Sequence, residues 1–317
     1  HHGAAMSAFV VVNPRSAGGR TRGQWRAMER GLREIYPNMA VVMTQRRGEA
    51  TALVREALLE GCSEIVAVGG DGTINEAVNG FFVESGPISP DAVFAFVTSG
   101  TGGDFRKTFG IAPGHGAAIA RLKNAKTRLV DVGRVSCLSR KGEPVVRYFI
   151  NIASFGMSGL IVDSVNRARI AKLFGGKFAF AFHSLFGLLR YRDRAVRIRV
   201  DGSFDEITSI STVAVANGLY FGGGMKVAPN ARPDDGVFDV IVMGGGPKSR
   251  AAADMKLIYK GEHLNNPAVR AMRGNRVVAV PVAETGGHPV LVEVDGESAG
   301  RLPATFEILP RALNLRC

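Results

Sequence analysis

Cysteine is scarce in this chain of 317 residues, and the three present are scattered at Cys62, Cys137 and Cys317. None belongs to a CxxC pair or has histidine nearby in metal-ligand spacing. That excludes a disulfide framework and a zinc site and points to a reducing cytoplasm. No uninterrupted apolar run reaches the roughly 18 residues of a spanning helix, so no segment is expected to cross a membrane. The P-loop pattern GxxxxGK[ST] is missing, as are the HRD and DFG of protein kinases and a true GxGxxG. Gly100-Thr101-Gly102 starts a dinucleotide fingerprint but lacks its third glycine. Acidic residues are also in deficit, 28 against 40 Lys and Arg, for a net charge of +12. Such an excess favours polyanions, yet zinc-finger spacing, RNP aromatics and heptads are absent, so no nucleic acid is expected. The basic residues are spread along the chain, as on a generally basic solvated surface. The expected partner is the anionic inner face of a membrane, touched peripherally by a cytoplasmic protein. His1-His2-Gly3-Ala4-Ala5 reads as a purification remnant, which makes Met6 the expected native start, with no secretory leader after it.

What is present is glycine in a particular place. Gly69-Gly70-Asp71-Gly72-Thr73-Ile74-Asn75-Glu76 follows the apolar run Glu64 to Val68, a buried parallel strand, and leads into a helix expected over Thr73 to Phe82. Three glycines in four residues let the backbone turn sharply and approach a ligand closely. Backbone N–H groups at such a turn, beside a helix N-terminus, suit an anion. A carboxylate there repels phosphate unless a divalent cation lies between them, so Asp71 reads as part of a nucleotide-phosphate and Mg²⁺ site. A plain Gly-rich turn with Asp71 as a local cap would look the same.

The surrounding pattern alternates. Ser7 to Asn13, Ala40 to Met43 and Ala92 to Val97 read as strands, with helices over Gly23 to Tyr36 and Glu49 to Leu59 between them. That spacing predicts a doubly wound α/β domain, with Asn13, Thr44, Gly69 to Gly72 and Thr101 converging at strand C-terminal ends. From about Arg128 the chain turns to Val- and Ile-rich strands: Leu129 to Val135, Val145 to Ala153, Ala195 to Val200, Ser209 to Asn217, Val237 to Met243, Val277 to Val282 and Val290 to Val294. These predict a β-sandwich domain over 128–302, after an α/β domain over 6–127 to which a segment 303–317 returns. Phe174, Phe178, Phe182 and Phe186 recur every four residues with Lys172, Lys177, Arg190, Arg192 and Arg194 beside them. One turning helix face of this kind either packs in the core or receives acyl chains at the membrane interface.

GGDGTINE resembles the signature of the diacylglycerol kinase catalytic-domain family, which includes soluble bacterial lipid kinases and the sphingosine and ceramide kinases. GGDG alone also occurs in NAD kinases and, as GGDGS, in phosphofructokinases; Asn75-Glu76 favours the lipid kinases. Asn13-Pro14-Arg15-Ser16 matches the family's first turn, departing from it at Ala17, and Gly103 stands where the family has Asn, with Thr101 and Asp104 kept. Asn151 to Gly156, Asn230 to Phe238 and Val294-Asp295-Gly296-Glu297 also look like family motifs, so the resemblance runs from about residue 7 to 309. It implies an α/β, NAD kinase/diacylglycerol kinase-like fold and transfer of the ATP γ-phosphoryl group, with Mg²⁺, to the hydroxyl of a diacylglycerol-like lipid. By that match Asn13, Pro14, Arg15, Ser16, Thr44, Gly69 to Thr73, Asn75, Glu76 and Thr101 would bind the nucleotide, and Glu297 would be the general base, with Asp295 and Asp71 assisting. Asp104, Phe178 and Phe182 would meet the lipid. A structural Mg²⁺ would take the Asp235 carboxylate and backbone oxygens of Arg232 and Val237, although an Asp-Gly hairpin turn needs no metal. If the strand stays extended, alternation puts Asp295 and Glu297 on one side. An NAD kinase, or a catalytically silent nucleotide- or lipid-binding relative, is the alternative, and a homodimer is left open.

Overall fold

The computed structural model describes residues 8–99, 103–167, 191–244, 246–282 and 288–317. Its contacts divide the chain into two units, one running to Asp131 and taking back Arg311–Cys317, the other Val132–Pro310.

The first unit contains β1 (Phe9–Val12), α1 (Arg20–Ile35), β2 (Ala40–Met43), α2 (Glu49–Leu59), β3 (Glu64–Gly69) and α3 (Asp71–Gly80). A short ribbon of β4 (Phe82–Val83) and β5 (Gly86–Pro87) follows, then β6 (Val93–Thr98), α4 (Asp104–Thr108) and α5 (His115–Asn124). β1 pairs in parallel with β2 and β3, β3 pairs with β6, and β6 pairs with Asn314 and Leu315 near the C-terminus. Parallel strands covered on both faces read as unbroken apolar runs, which is why they stand out in the sequence. Val10, Val12, Val66 and Val68 pack with Trp25, Met28 and Leu32 of α1 and with Leu122 of α5. Winding reverses between β1 and β3, and at such a switch point open α/β sheets bind ligands beyond the strand C-terminal ends.

In the second unit β7 (Thr127–Leu138) leads to β8 (Pro144–Phe149), β9 (Ile152–Gly156), α6 (Met157–Arg167), β10 (Arg194–Val200), β11 (Phe204–Ile210) and β12 (Thr212–Ala216). Next come β13 (Phe238–Met243), α7 (Ala251–Lys260), β14 (Val269–Gly274), β15 (Arg276–Pro281), β16 (Leu291–Val294) and β17 (Glu297–Arg316). Strands β14-β13-β12-β9-β16-β17 lie side by side, while β10 joins β11 to β15. Phe149 stacks on Phe238 and Phe155 on Phe306, with centroids 5.7 and 5.8 Å apart, inside a core of Val and Ile from both sets of strands. On the other face of β9 and β12, Ile152, Ala214 and Ala216 meet Val227 and Ile258.

Three expectations need correction. Helix α3 begins at Asp71, two residues before Thr73, because extended Gly70 (φ −99°, ψ −173°) is its cap, and it ends at Gly80. The strand expected over Val145 to Ala153 is two, β8 and β9. The one expected over Ser209 to Asn217 is broken at Ser211, whose N–H and hydroxyl both donate to the Met243 carbonyl. Thr101 and the Phe174 to Leu189 stripe, with Phe178 and Phe182, lie outside the described residues.

Candidate active site

The glycine turn sits at the switch point of the first unit. Gly69 closes β3, and a Cβ there would come within 2.5 Å of the Thr73 hydroxyl, so only glycine lets α3 fold back this tightly. Thr73 is held from across the switch point, since the Asn13 amide donates to its Oγ1 at 3.1 Å. The Asn13 carbonyl group of the side chain accepts the Arg15 N–H at 3.0 Å, which shapes the turn through Pro14. Ser16 donates to the Asn13 backbone oxygen at 2.8 Å and shares a 2.5 Å hydrogen bond with Thr21, which in turn bonds to Ser99 beyond β6. Nothing in the sequence singles out Thr21 or Ser99, whose hydroxyls meet only in three dimensions.

Asp71 stands in the first turn of α3, and its Oδ2 accepts the Asp104 N–H at 2.7 Å. The Asp104 carboxylate pairs with Lys107 at 3.0 Å. The turn thus presents a carboxylate fixed in direction beside the first backbone N–H groups of a helix. A Cβ on Gly70 would meet nothing within 4 Å, so the backbone is open to a ligand there. An oriented carboxylate with backbone N–H donors is the donor set that a divalent cation and phosphate oxygens require. The other expected residues lie further back. Thr44 is buried and bonds to the Val12 carbonyl through its N–H at 2.8 Å. The Glu76 carboxylate accepts the Gly48 N–H at 2.8 Å and so fastens the loop after β2. Asn75 is buried, with Asn79 donating to its backbone oxygen at 2.9 Å.

In the second unit β16 and β17 are joined by a two-residue turn in which Asp295 (φ 49°) and Gly296 (φ 83°) are both left-handed. The strand is therefore not extended through Asp295 and Glu297, and alternation does not set their directions. The Asp295 carboxylate accepts the N–H groups of Ile150, Asn151 and Ile152 at 3.1, 3.0 and 3.0 Å. It takes donors that a continuous strand would need for its ladder, which is why β8 and β9 are separate. Glu297 is half-buried at the first position of β17.

Two residues before Asp295 is an acid that belongs to none of the sequence motifs. Glu293 is 2% exposed; its Oε1 accepts from the Ser154 hydroxyl, and its Oε2 takes the Gly296 N–H at 2.9 Å. Ser154 also bonds to Ser158 at 2.6 Å. Gly159 lets α6 lie flat on β16, because a Cβ there would come within 2.6 Å of the Leu291 carbonyl. The signal was a charged residue inside the apolar run Val290 to Val294. Ser158 lies on the wall of an open cleft of about 470 Å³ bordered by α6, β12, the end of β13 and α7. Its lining is mostly apolar, with Met157, Ile161, Met225, Met243, Met255 and Ile258 prominent.

The expected metal turn is differently made. The Asp235 carboxylate pairs with the Arg273 guanidinium and accepts the Val237 N–H at 3.3 Å, and Arg273 also lies 3.6 Å from Asp239. Burial, with Asp235 nearby, pushes the Asp239 carboxyl above the usual range against the pull of Arg273. Arg232 stands 3.9 Å from Asp234. Guanidinium groups already balance both aspartates of the turn, so this donor set does not fit a structural cation.

Residues 7–135 match the family described as diacylglycerol kinase catalytic domain, and residues 151–317 that described as YegS C-terminal NAD kinase beta sandwich-like domain. A diacylglycerol kinase of Bacillus subtilis (strain 168) is 30% identical over 271 residues, covering 84% of this chain and 82% of that protein. One from Mycobacterium tuberculosis (strain ATCC 25618 / H37Rv) is 26% identical over 268 residues, covering 84% and 81%. The crystal structure of a diacylglycerol kinase from Bacillus anthracis str. Sterne superposes with a TM-score of 0.70 at 21% identity, covering 98% of this chain and 96% of that one. Yeast NADH kinase complexed with NADH gives a TM-score of 0.53 at 13% identity, covering 98% and 83%. At such identities these two superpositions show a shared fold.

Proposed function

The chain belongs to the diacylglycerol kinase catalytic-domain family, and from that premise we propose that it transfers the γ-phosphoryl group of ATP to the hydroxyl of a diacylglycerol-like lipid. The observation that carries this reading is the Asp71 carboxylate, fixed by the Asp104 N–H on an open glycine turn at the switch point. Gly70, Gly72 and the first turn of α3 bind the phosphates through backbone N–H groups, while Asn13 and Thr73 hold the turn in shape. Asp71 would hold Mg²⁺, which when bound offsets the charge of the phosphate oxygens. Phosphoryl transfer needs mainly positioning and charge neutralisation, but the acceptor hydroxyl must still lose a proton. Glu297 takes that proton. The apolar cleft of the second unit receives the lipid chain, and the net charge of +12 supports contact with an anionic membrane surface. No helix among the described residues is long and apolar enough to cross a membrane.

A panel assay tests this. Labelled ATP with Mg²⁺ is offered alongside diacylglycerol, monoacylglycerol, ceramide, sphingoid bases, polyprenols and NAD. Label is expected in a lipid and absent from NAD. Label in NAD with none in any lipid overturns the reading.

A further inference from the structure

Glu293 is a buried acid in the middle of β16, and its neighbours Val292 and Val294 both belong to the core. Burying a carboxylate is costly unless hydrogen bonds compensate, and an apolar residue at such a place packs without that cost. Its presence calls for a reason beyond packing, and what its oxygens hold supplies one. Oε2 accepts the Gly296 N–H at 2.9 Å. Oε1 accepts the hydroxyl of Ser154, which stands opposite on β9 and is bonded to Ser158 of α6 at 2.6 Å.

The turn between β16 and β17 has two residues, and each is held by a different acid. Asp295 is tied by its own carboxylate to three N–H groups of the β8–β9 corner. Gly296 has no side chain to tie, and its φ of 83° is one of several that glycine adopts at little cost. Rotation of the peptide unit between Asp295 and Gly296 would turn the Gly296 N–H away and shift the start of β17. The Glu293 carboxylate opposes that rotation by holding the N–H. Just past the turn the ladder slips, since Glu293 pairs with Ser298 but Val292 with Gly300, leaving Ala299 as an extra residue of β17. Such a bulge bends its strand and re-aims nearby side chains. Only the Val294–Glu297 and Glu293–Ser298 pairs therefore separate the glycine turn from the bulge.

Resting on the reading of Glu297 as the base, we propose that Glu293 is a positioning residue for phosphoryl transfer. By holding the Gly296 N–H it fixes the turn from which Glu297 reaches the acceptor hydroxyl, while Ser154 and Ser158 anchor the carboxylate to β9 and α6. Misplacing a reacting group by about 1 Å can cost about a hundredfold in rate, so a buried residue can govern turnover without touching substrate.

A double-mutant cycle on the full chain tests this, with labelled ATP, Mg²⁺ and mixed micelles of diacylglycerol or of the panel lipid that takes more label. Glu293→Met keeps the length of the side chain and removes both acceptors. Glu293→Gln keeps an oxygen for the Gly296 N–H and offers its amide to the Ser154 hydroxyl. Glu293→Met is expected to lower kcat about tenfold or more with the KM for ATP unchanged, and Glu293→Gln to restore most of it. Added to Glu297→Gln, Glu293→Met should cause no further loss, because a residue that acts through the base then has nothing left to position. Losses that multiply in the double variant overturn this inference alone, as does wild-type kcat in Glu293→Met or an equal loss in Glu293→Gln. If melting curves show Glu293→Met unfolded, Ser154→Ala takes its place in the cycle. It should lower kcat by less and again do nothing further in Glu297→Gln, and a Ser154→Ala protein with wild-type kcat would then overturn the inference. Undiminished turnover in Glu297→Gln overturns the base assignment, and no label in any lipid overturns the lipid-kinase reading; the positioning role falls with either.

Discussion

Asp295 and Glu297 are two positions apart, and the structure gives them different surroundings. Asp295 faces three backbone N–H groups of the β8–β9 corner. Hydrogen bonds to a charged group contribute about 1.5–3 kcal/mol, and removing the acceptor leaves its donors unmet. Asp295→Ala should therefore cost at least about 2 kcal/mol, seen as a lower denaturation midpoint. Glu297→Gln should leave that midpoint in place and slow turnover at least about a hundredfold if Glu297 is the base. An effect of Glu297→Gln confined to nucleotide affinity would move the residue to metal binding. His263 gives a pH signature, since burial pushes its imidazole pKa down. Below the ordinary value of about 6.5 the unfolded chain takes up a proton that the folded chain does not. Stability should therefore fall as the pH drops through that window, and His263→Gln should flatten the fall in thermal melts between about pH 7 and 5. At this scale the sequence revealed Asp71 and the Asp295-Gly296-Glu297 motif by their unusual glycine company. It concealed Glu293 and Thr21, whose significance depends on partners 139 and 78 positions away.

Elements of the first unit were legible because strands covered on both faces must be apolar throughout, and helices between them must return the chain. Their ends were less so, as Gly70 shows by capping α3 earlier than Thr73 would. Gly69 joins strand to helix, and a Cβ there would press within 2.5–3.0 Å of three Thr73 atoms. Gly69→Ala should push Thr73 off the Asn13 amide, lower stability by about 1–3 kcal/mol and raise the KM for ATP. Unchanged ATP kinetics and melting would remove Thr73 and Asn13 from the account of the turn. Breaks in the second unit were unreadable because distant groups impose them: Asp295 at Ile150 to Ile152, and Met243 at Ser211. The Asp234-Asp235-Gly236 turn before β13 suggests a hard-cation site when read by residue type alone. Arg273 lies opposite Asp239 on β14 and supplies the positive charge instead. Melting of the nucleotide-free protein should be flat across a Mg²⁺ titration, and a rise that Asp235→Ala abolishes would restore the metal.

At the scale of the whole molecule, the last residues of β17 belong to the unit that the chain left near Asp131. Asp131, fully buried, accepts the Arg311 N–H at 2.7 Å, and Arg316 pairs with Glu64 at 2.9 Å beside Tyr36. Burial and the neighbouring Glu64 carboxylate push the Tyr36 phenol pKa up, so the hydroxyl stays a donor to that carboxylate. A change from alternating strands and helices to Val- and Ile-rich strands was visible along the sequence, because it alters periodicity over many residues. The cleft was not, since α6 and α7 contribute to it only a few apolar residues each, and α7 had no distinctive motif. Under the proposed function, phosphoryl transfer depends on the Asp71 carboxylate. Its most direct test is transfer of labelled γ-phosphate from ATP to lipid by the wild-type chain and by Asp71→Asn, with melting curves to show that both are folded. The account predicts labelled phospholipid from the wild type and a loss of at least about a hundredfold in Asp71→Asn at unchanged melting temperature. Near-wild-type turnover in folded Asp71→Asn would contradict it.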